Sequence, residues 1–174
     1  MLRVLNKRKI PNEEKILKYL RPYTQQWFKK TFKEFTLPQK FSIPLIKEGK
    51  NVLITAPTGS GKTLAMFLPI VDELFKFSEE GRLEDKVYCI YVSPLRALDN
   101  DIKRNLLIPL KEIPEVAEKE FNVKLKEVRV AVRTGDTLPS EKQRQLLKPP
   151  HILITTPETI AIILSTRKFK EKLK

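Results

Sequence analysis

The sequence has one cysteine and one histidine in 174 residues. A lone cysteine excludes an internal disulfide. Cys89, inside the apolar run VYCIYVS, reads as a small buried hydrophobe in a reducing compartment. His151 lies between two prolines and an apolar run, with no second His or Cys at ligand spacing, which excludes the usual zinc arrangements and marks it as structural. No apolar segment approaches the roughly 18 residues of a membrane span. The N-terminal stretch MLRVLNKRKIPNEE is charged and lacks the apolar core of a secretion signal. These absences predict a cytoplasmic protein with no membrane contact. There is no internal repeat, no low-complexity run and no Gly/Ser linker, and the length suits one domain. The acidic stretches SEEGRLED and EVAEKEF show no pairing suited to acid–base chemistry and read as solvated faces or caps.

What is present is a core and an excess of positive charge. At 41% hydrophobic the chain can bury a core, so disorder is not expected. The formal charge is +13, and the first 50 residues carry 13 Lys/Arg against 4 Asp/Glu, whereas residues 51–100 carry 5 against 7. Such a balance fits a polyanion partner such as nucleic acid, and it equally fits a solvated lysine-rich surface.

Two regimes follow one another along the chain. Up to residue 50 the pattern is helical and punctuated by prolines. Asn12 can cap EEKILKYL, Pro22 can open PYTQQWFKKTF, and Pro38 can open PQKFSIPLIKEG, with Pro44 kinking that segment or marking its first turn. From Asn51 short apolar runs alternate with helical spacing. NVLIT, KVYCIYVS, EVRVAVR and HILITT read as strands. KTLAMFLPIVDELFKF, LRALDNDIKRNLLIPLKEI, PSEKQRQLL and PETIAIIL read as helices. This alternation predicts parallel βαβ units in a three-layer α/β/α domain with a parallel sheet.

Between the first of these strands and its helix lies APTGSGKT, Ala56 to Thr63. Gly59 and Gly61 allow the backbone to turn its N–H groups toward phosphate oxygens, and the helix beginning near Lys62 adds the positive end of its dipole. In such a P-loop, Lys62 reaches the β- and γ-phosphates and the Thr63 hydroxyl ligates Mg²⁺, with Ala56, Pro57, Thr58, Ser60 and Leu64 completing the cradle. The usual first glycine of the motif is replaced by Ala56. The expected ligands are ATP and Mg²⁺.

Read together, the segments resemble the superfamily-two DEAD/DEAH-type helicases. TLPQKFSIPLIKEGKNVLITAPTGSGKTLAMFLPIVDEL is similar to the opening of that superfamily, where alanine at the first loop position is common. SPLRAL resembles motif Ia, RTGDT the glycine-bearing motif after it, and TTPE motif Ib. The combination is most similar to the Lhr-like (large helicase-related) branch, over about residues 20–174. The resemblance implies that Gln39 is the Q-motif glutamine that reads the adenine edge, supported by Thr36. A carboxamide, with one acceptor and two donors, suits that edge. The aromatics Tyr23, Trp27, Phe28, Phe32 and Phe35 could stack on adenine or pack the N-terminal helices onto the domain, the commoner use of aromatics at helical spacing. The resemblance also implies that Ser93, Pro94, Arg96, Thr134, Gly135, Thr156 and Pro157 face the nucleic-acid backbone, at one carboxyl edge of the sheet. Ser-Pro and Thr-Pro also simply cap helices.

On this reading residues 1–37 are an N-terminal helical segment and 38–174 a partial RecA-like ATP-binding domain that stops before the Asp-Glu-x-His motif. The sequence's Asp-Glu dipeptide, Asp72–Glu73, falls inside the helix after the loop. Hydrolysis needs a carboxylate that orients water and metal, so the isolated chain is expected to bind nucleotide and hydrolyse little. The parent would couple ATP hydrolysis to strand separation on single-stranded or forked DNA, with RNA an alternative. A second chain could supply the missing motor half. The rival expectation is a non-enzymatic nucleic-acid-binding or regulatory protein that retains the P-loop fold.

Overall fold

The computed structural model describes residues 10–94 and 102–165. They fall into two compact units, one taking the first four helices and the helix that ends at Phe121, the other taking the three strands with the last two helices.

The first unit begins with α1 (Glu13–Leu17), whose first turn is capped by the Asn12 side chain accepting from the Glu14 amide. Helix α2 (Pro22–Thr31) opens on a proline and helix α3 (Leu37–Lys47) has Pro38 as its second residue, positions where a missing N–H costs nothing. Pro44 falls within α3, which nevertheless continues to Lys47. Helix α4 (Lys62–Glu79) is the centre of this unit. Leu64, Phe67, Leu68, Val71, Leu74 and Phe75 recur at helical spacing and are all buried. Helix α3 packs along α4, and α2 packs on α5 (Ile108–Phe121).

Helix α5 is entered through a π-helical turn, Lys103–Leu107, in which the Ile108 amide donates to the Lys103 carbonyl. Pro109 comes next and has no N–H to give to the i−4 carbonyl, so the wider turn relieves the crowding its ring creates. The sequence predicts one amphipathic helix through this segment. From residue 102 the backbone is continuously helical to Phe121, beyond the expected end, with the π turn within it; residues 95–101 lie outside the described residues. The aromatics take the packing alternative. Tyr23, Trp27, Phe28 and Phe35 are buried, Phe28 stacks on Phe35 at 3.8 Å between centroids, and the Trp27 indole donates to Glu112 at 2.7 Å.

The second unit is a parallel sheet of β1 (Cys89–Val92), β2 (Val130–Arg133) and β3 (Ile152–Thr155) in the order β1-β3-β2. Central β3 is buried at every position, as its continuous apolar run demands. Leu153 packs with Val87 and Ile163, against Ile90, Leu146 and Ile160. Helix α6 (Pro139–Leu147) shields the outer edge of β2, where the Gln145 amide donates to the Val132 carbonyl at 3.0 Å. Helix α7 (Pro157–Ser165) follows β3.

One expected strand is not formed. Residues 51–57 join no ladder, although their exposure alternates along an extended backbone and Leu53 is 79% exposed. Composition gives NVLIT a preference for a pleated, buried setting, but a strand requires a partner row of N–H and C=O groups.

Candidate functional site

The loop from Ala56 to Thr63 is shaped by its glycines. Gly59 has φ 78° and Gly61 φ 83°, the left-handed region that side chains with a Cβ avoid. The Ser60 amide closes the turn on the Pro57 carbonyl at 3.3 Å. Gly61 then caps α4, so the amides of Lys62, Thr63 and Leu64 open the helix without acceptors from a preceding turn. Lys62 folds back over its own loop, its Nζ donating to the Ala56 carbonyl at 2.5 Å and the Pro57 carbonyl at 2.6 Å. The Ser60 hydroxyl is buried with no hydrogen-bond partner among the described residues. Thr63 is half-buried in the first turn of α4, and Thr58 is exposed. The Leu64 side chain faces the core, which leaves only its amide for a ligand.

Gln39 meets this loop directly. A capping box forms at the start of α3, with the Gln39 carboxamide oxygen accepting the Thr36 amide at 3.0 Å. Its Nε2 donates to the Gly61 carbonyl at 3.4 Å. The packing is close enough that a Cβ on Gly61 would lie 2.7 Å from Gln39 Nε2 and 3.0 Å from Thr36 Oγ1. Gln39 keeps one acceptor lone pair and one N–H beyond these bonds, the complement of an adenine N6/N7 edge.

Phosphate suits the loop. It provides the acceptors that the Ser60 hydroxyl, the first-turn amides and a released Lys62 call for, at the positive end of α4.

At the carboxyl edge of the sheet the structure assembles the second group of residues. Ser93 follows β1, Thr134 and Gly135 follow β2, and Thr156 and Pro157 follow β3, all in one parallel sheet. Ser93 is buried, and its amide donates to the Thr155 carbonyl at 3.0 Å. The hydroxyls of Thr134 and Thr156 are locally engaged. Thr134 Oγ1 lies 3.5 Å from Thr137 Oγ1, while Thr156 Oγ1 donates to Thr159 Oγ1 at 3.0 Å and accepts the Thr159 amide at 3.3 Å. Pro94, Gly135 and Pro157 are the exposed members. Arg96 lies outside the described residues.

His151 behaves as a structural residue. Its Nδ1 accepts the Arg129 amide at 3.0 Å, and burial, with the Arg129 charge second, lowers its pKa to about 4. Burial likewise pushes the Cys89 thiol up to about 11, so it stays a thiol.

The sequence pattern does not reveal the ion cluster behind the loop. Asp72 accepts the Arg21 amide at 2.8 Å and Lys47 Nζ at 2.8 Å, and Lys47 also reaches Glu73 at 2.5 Å. Burial favours neutral Lys47, but Asp72 and Glu73 outweigh it and raise its pKa; Glu73 is lowered by Lys47 against its own burial. A carboxylate within the apolar stripe of α4 was the available signal.

The sequence model of the DEAD/DEAH box helicase family matches residues 36–174. The chain is 58% identical over 162 residues to the ATP-dependent helicase Lhr-Core of Methanocaldococcus jannaschii, covering 93% of this chain and 19% of that protein. It is 56% identical to the Lhr-Core of Saccharolobus solfataricus, covering 93% and 18%. A solved structure of the Mycobacterium smegmatis helicase Lhr, bound to ssDNA and AMP-PNP, superposes with a TM-score of 0.79 at 38% identity, covering 90% of this chain and 19% of that one. The chain thus spans about a fifth of the length of the curated relatives it matches. It belongs to the DEAD/DEAH box helicase family, and the relatives named above are Lhr helicases.

Proposed function

We propose that this chain is the nucleotide-binding part of an Lhr-like motor that couples ATP hydrolysis to movement along nucleic acid and strand separation. The observation that carries the reading is the contact between Gln39 and Gly61, which joins the carboxamide read here as the adenine reader to the turn read here as the phosphate cradle. In this reading the amides from Gly59 to Leu64 and the Ser60 hydroxyl hold the phosphates. Lys62 leaves the Ala56 and Pro57 carbonyls for the β- and γ-phosphate oxygens, and the Thr63 hydroxyl holds Mg²⁺. Bound Mg²⁺ neutralises phosphate charge and fixes the triphosphate. Ser93, Arg96, Gly135 and the loop at Thr156 contact the nucleic-acid backbone, with little base specificity. Single-stranded DNA is the favoured partner, because the Mycobacterium smegmatis relative was solved with it.

Hydrolysis by residues 1–174 alone is expected to stay near background. The Asp72–Glu73 carboxylates are taken up by Lys47, and no other Asp-Glu pair occurs in the sequence. Calorimetry with a non-hydrolysable ATP analogue and Mg²⁺ tests the nucleotide site. Measurable binding is expected, weakened on the order of 10- to 100-fold in Lys62→Ala by loss of a charge-assisted contact. Equal affinity in both proteins would sink the assignment.

A further inference from the structure

Asp72 is a carboxylate where the pattern of α4 calls for an apolar side chain. It shares the buried stripe with Leu68, Val71 and Phe75 and is 0% exposed. A buried carboxylate needs compensating donors, and Asp72 draws them from two other elements. One is the Arg21 amide at the entry to α2, and the other is Lys47, the last residue of α3. The Lys47 side chain is itself only 11% exposed. Buried pairs of this kind add little net stability over well-packed apolar side chains, but they tolerate a narrow range of geometries. The cluster is therefore suited to fixing where the end of α3 lies on α4.

That placement reaches the loop. Gln39 precedes Lys47 by eight residues, roughly 12 Å along α3, and Lys62 precedes Asp72 by ten, roughly 15 Å along α4. The two helices are pinned at both ends, Gln39 on Gly61 and Lys47 on Asp72. At 3.4 Å the Gln39 bond is too long to hold α3 by itself. Packing of the buried Ile43 face restrains α3 on α4 as well, and the ion pair adds a directional contact at the end away from Gln39.

We propose that Lys47 and Asp72 are positioning residues for nucleobase selection: their ion pair locks α3 on α4 and so fixes the Gln39 carboxamide over the phosphate loop. Neither residue touches the nucleotide. The proposal rests on Gln39 as the adenine reader, as given above.

The test compares Mg²⁺ complexes of ATP, GTP and tripolyphosphate by calorimetry on the whole chain. Lys47→Met/Asp72→Asn removes both charges yet keeps an acceptor for the Arg21 amide. It should reduce the ATP-over-GTP preference at least fivefold, while tripolyphosphate affinity stays within twofold. Lys47→Arg should retain most of the preference. If the double variant does not fold, Lys47→Gln, which keeps a donor toward Asp72, takes its place in the comparison. Uniform weakening of all three ligands would reduce the pair to a stabilising role and overturn the proposal. A preference that survives in the charge-removed variant but vanishes in Gln39→Ala would overturn the positioning role alone. No preference in the wild type, or one that Gln39→Ala leaves intact, would overturn the adenine reading and the positioning role with it.

Discussion

Gly59 and Gly61 share one backbone conformation, yet a methyl group would meet different surroundings at each. At Gly59 nothing lies within 4 Å of an added Cβ, so Gly59→Ala carries only the left-handed penalty, roughly 1–2 kcal/mol. At Gly61 the same penalty is joined by displacement of the Gln39 carboxamide and loss of its bond to Gly61, which adds about 1 kcal/mol. Urea unfolding of the two variants should rank Gly61→Ala as the less stable, and equal midpoints would contradict the packing described. His151 supports a prediction of the opposite kind, in pH. The folded chain holds the imidazole neutral down to about 4, whereas the unfolded chain takes up its proton near 6.5. Between those values the unfolded state binds more protons. The contribution of His151 is therefore complete above pH 6.5 and lost as pH falls toward 4, on the order of 2–3 kcal/mol. Unfolding free energies at pH 4.5 and 7.0 should differ less in His151→Gln than in the wild type. A difference of the same size in both would exclude His151 as its source.

The elements show what a sequence pattern carries and where it stops. The caps and prolines at Asn12, Pro22 and Pro38, the glycines of the loop and the apolar period of α4 act within a few residues of themselves, and they were legible. So were β1, β2 and β3, whose composition coincides with actual partners. NVLIT has the same composition yet joins no ladder among the described residues, since pairing is a property of two segments rather than one. The capping box of Thr36 and Gln39 was likewise hidden, because a motif for adenine reading draws attention to the ligand and away from the neighbouring amide. The Lys47–Asp72 pair joins residues 25 positions apart, and short-range pattern says nothing about it. Leu68 lies on the buried stripe of α4 and is 0% exposed, so Leu68→Ala should lower stability by about 2–5 kcal/mol. A loss under 1 kcal/mol in chemical denaturation would mean that α4 is not the centre of its unit.

For the whole molecule the dominant quantity is charge. With +13 overall and most of the excess in the first 50 residues, association with single-stranded DNA should release counterions. The logarithm of the binding constant should fall linearly with the logarithm of salt concentration, with a slope of about −0.7 per phosphate contacted. Fluorescence anisotropy across a salt series measures it, and a flat response would leave the basic surface without a partner. The glycine loop works against a different competitor, one that it carries itself. The carbonyls of Ala56 and Pro57 hold Lys62 wherever phosphate does not. Every incoming phosphate must displace them, so the apparent dissociation constant rises in inverse proportion to the fraction of loops with the lysine already free. The same carbonyls stand ready to take the ammonium back when a bound phosphate leaves. In the nucleotide site proposed above, a loop built this way gives up tightness of grip for ease of emptying.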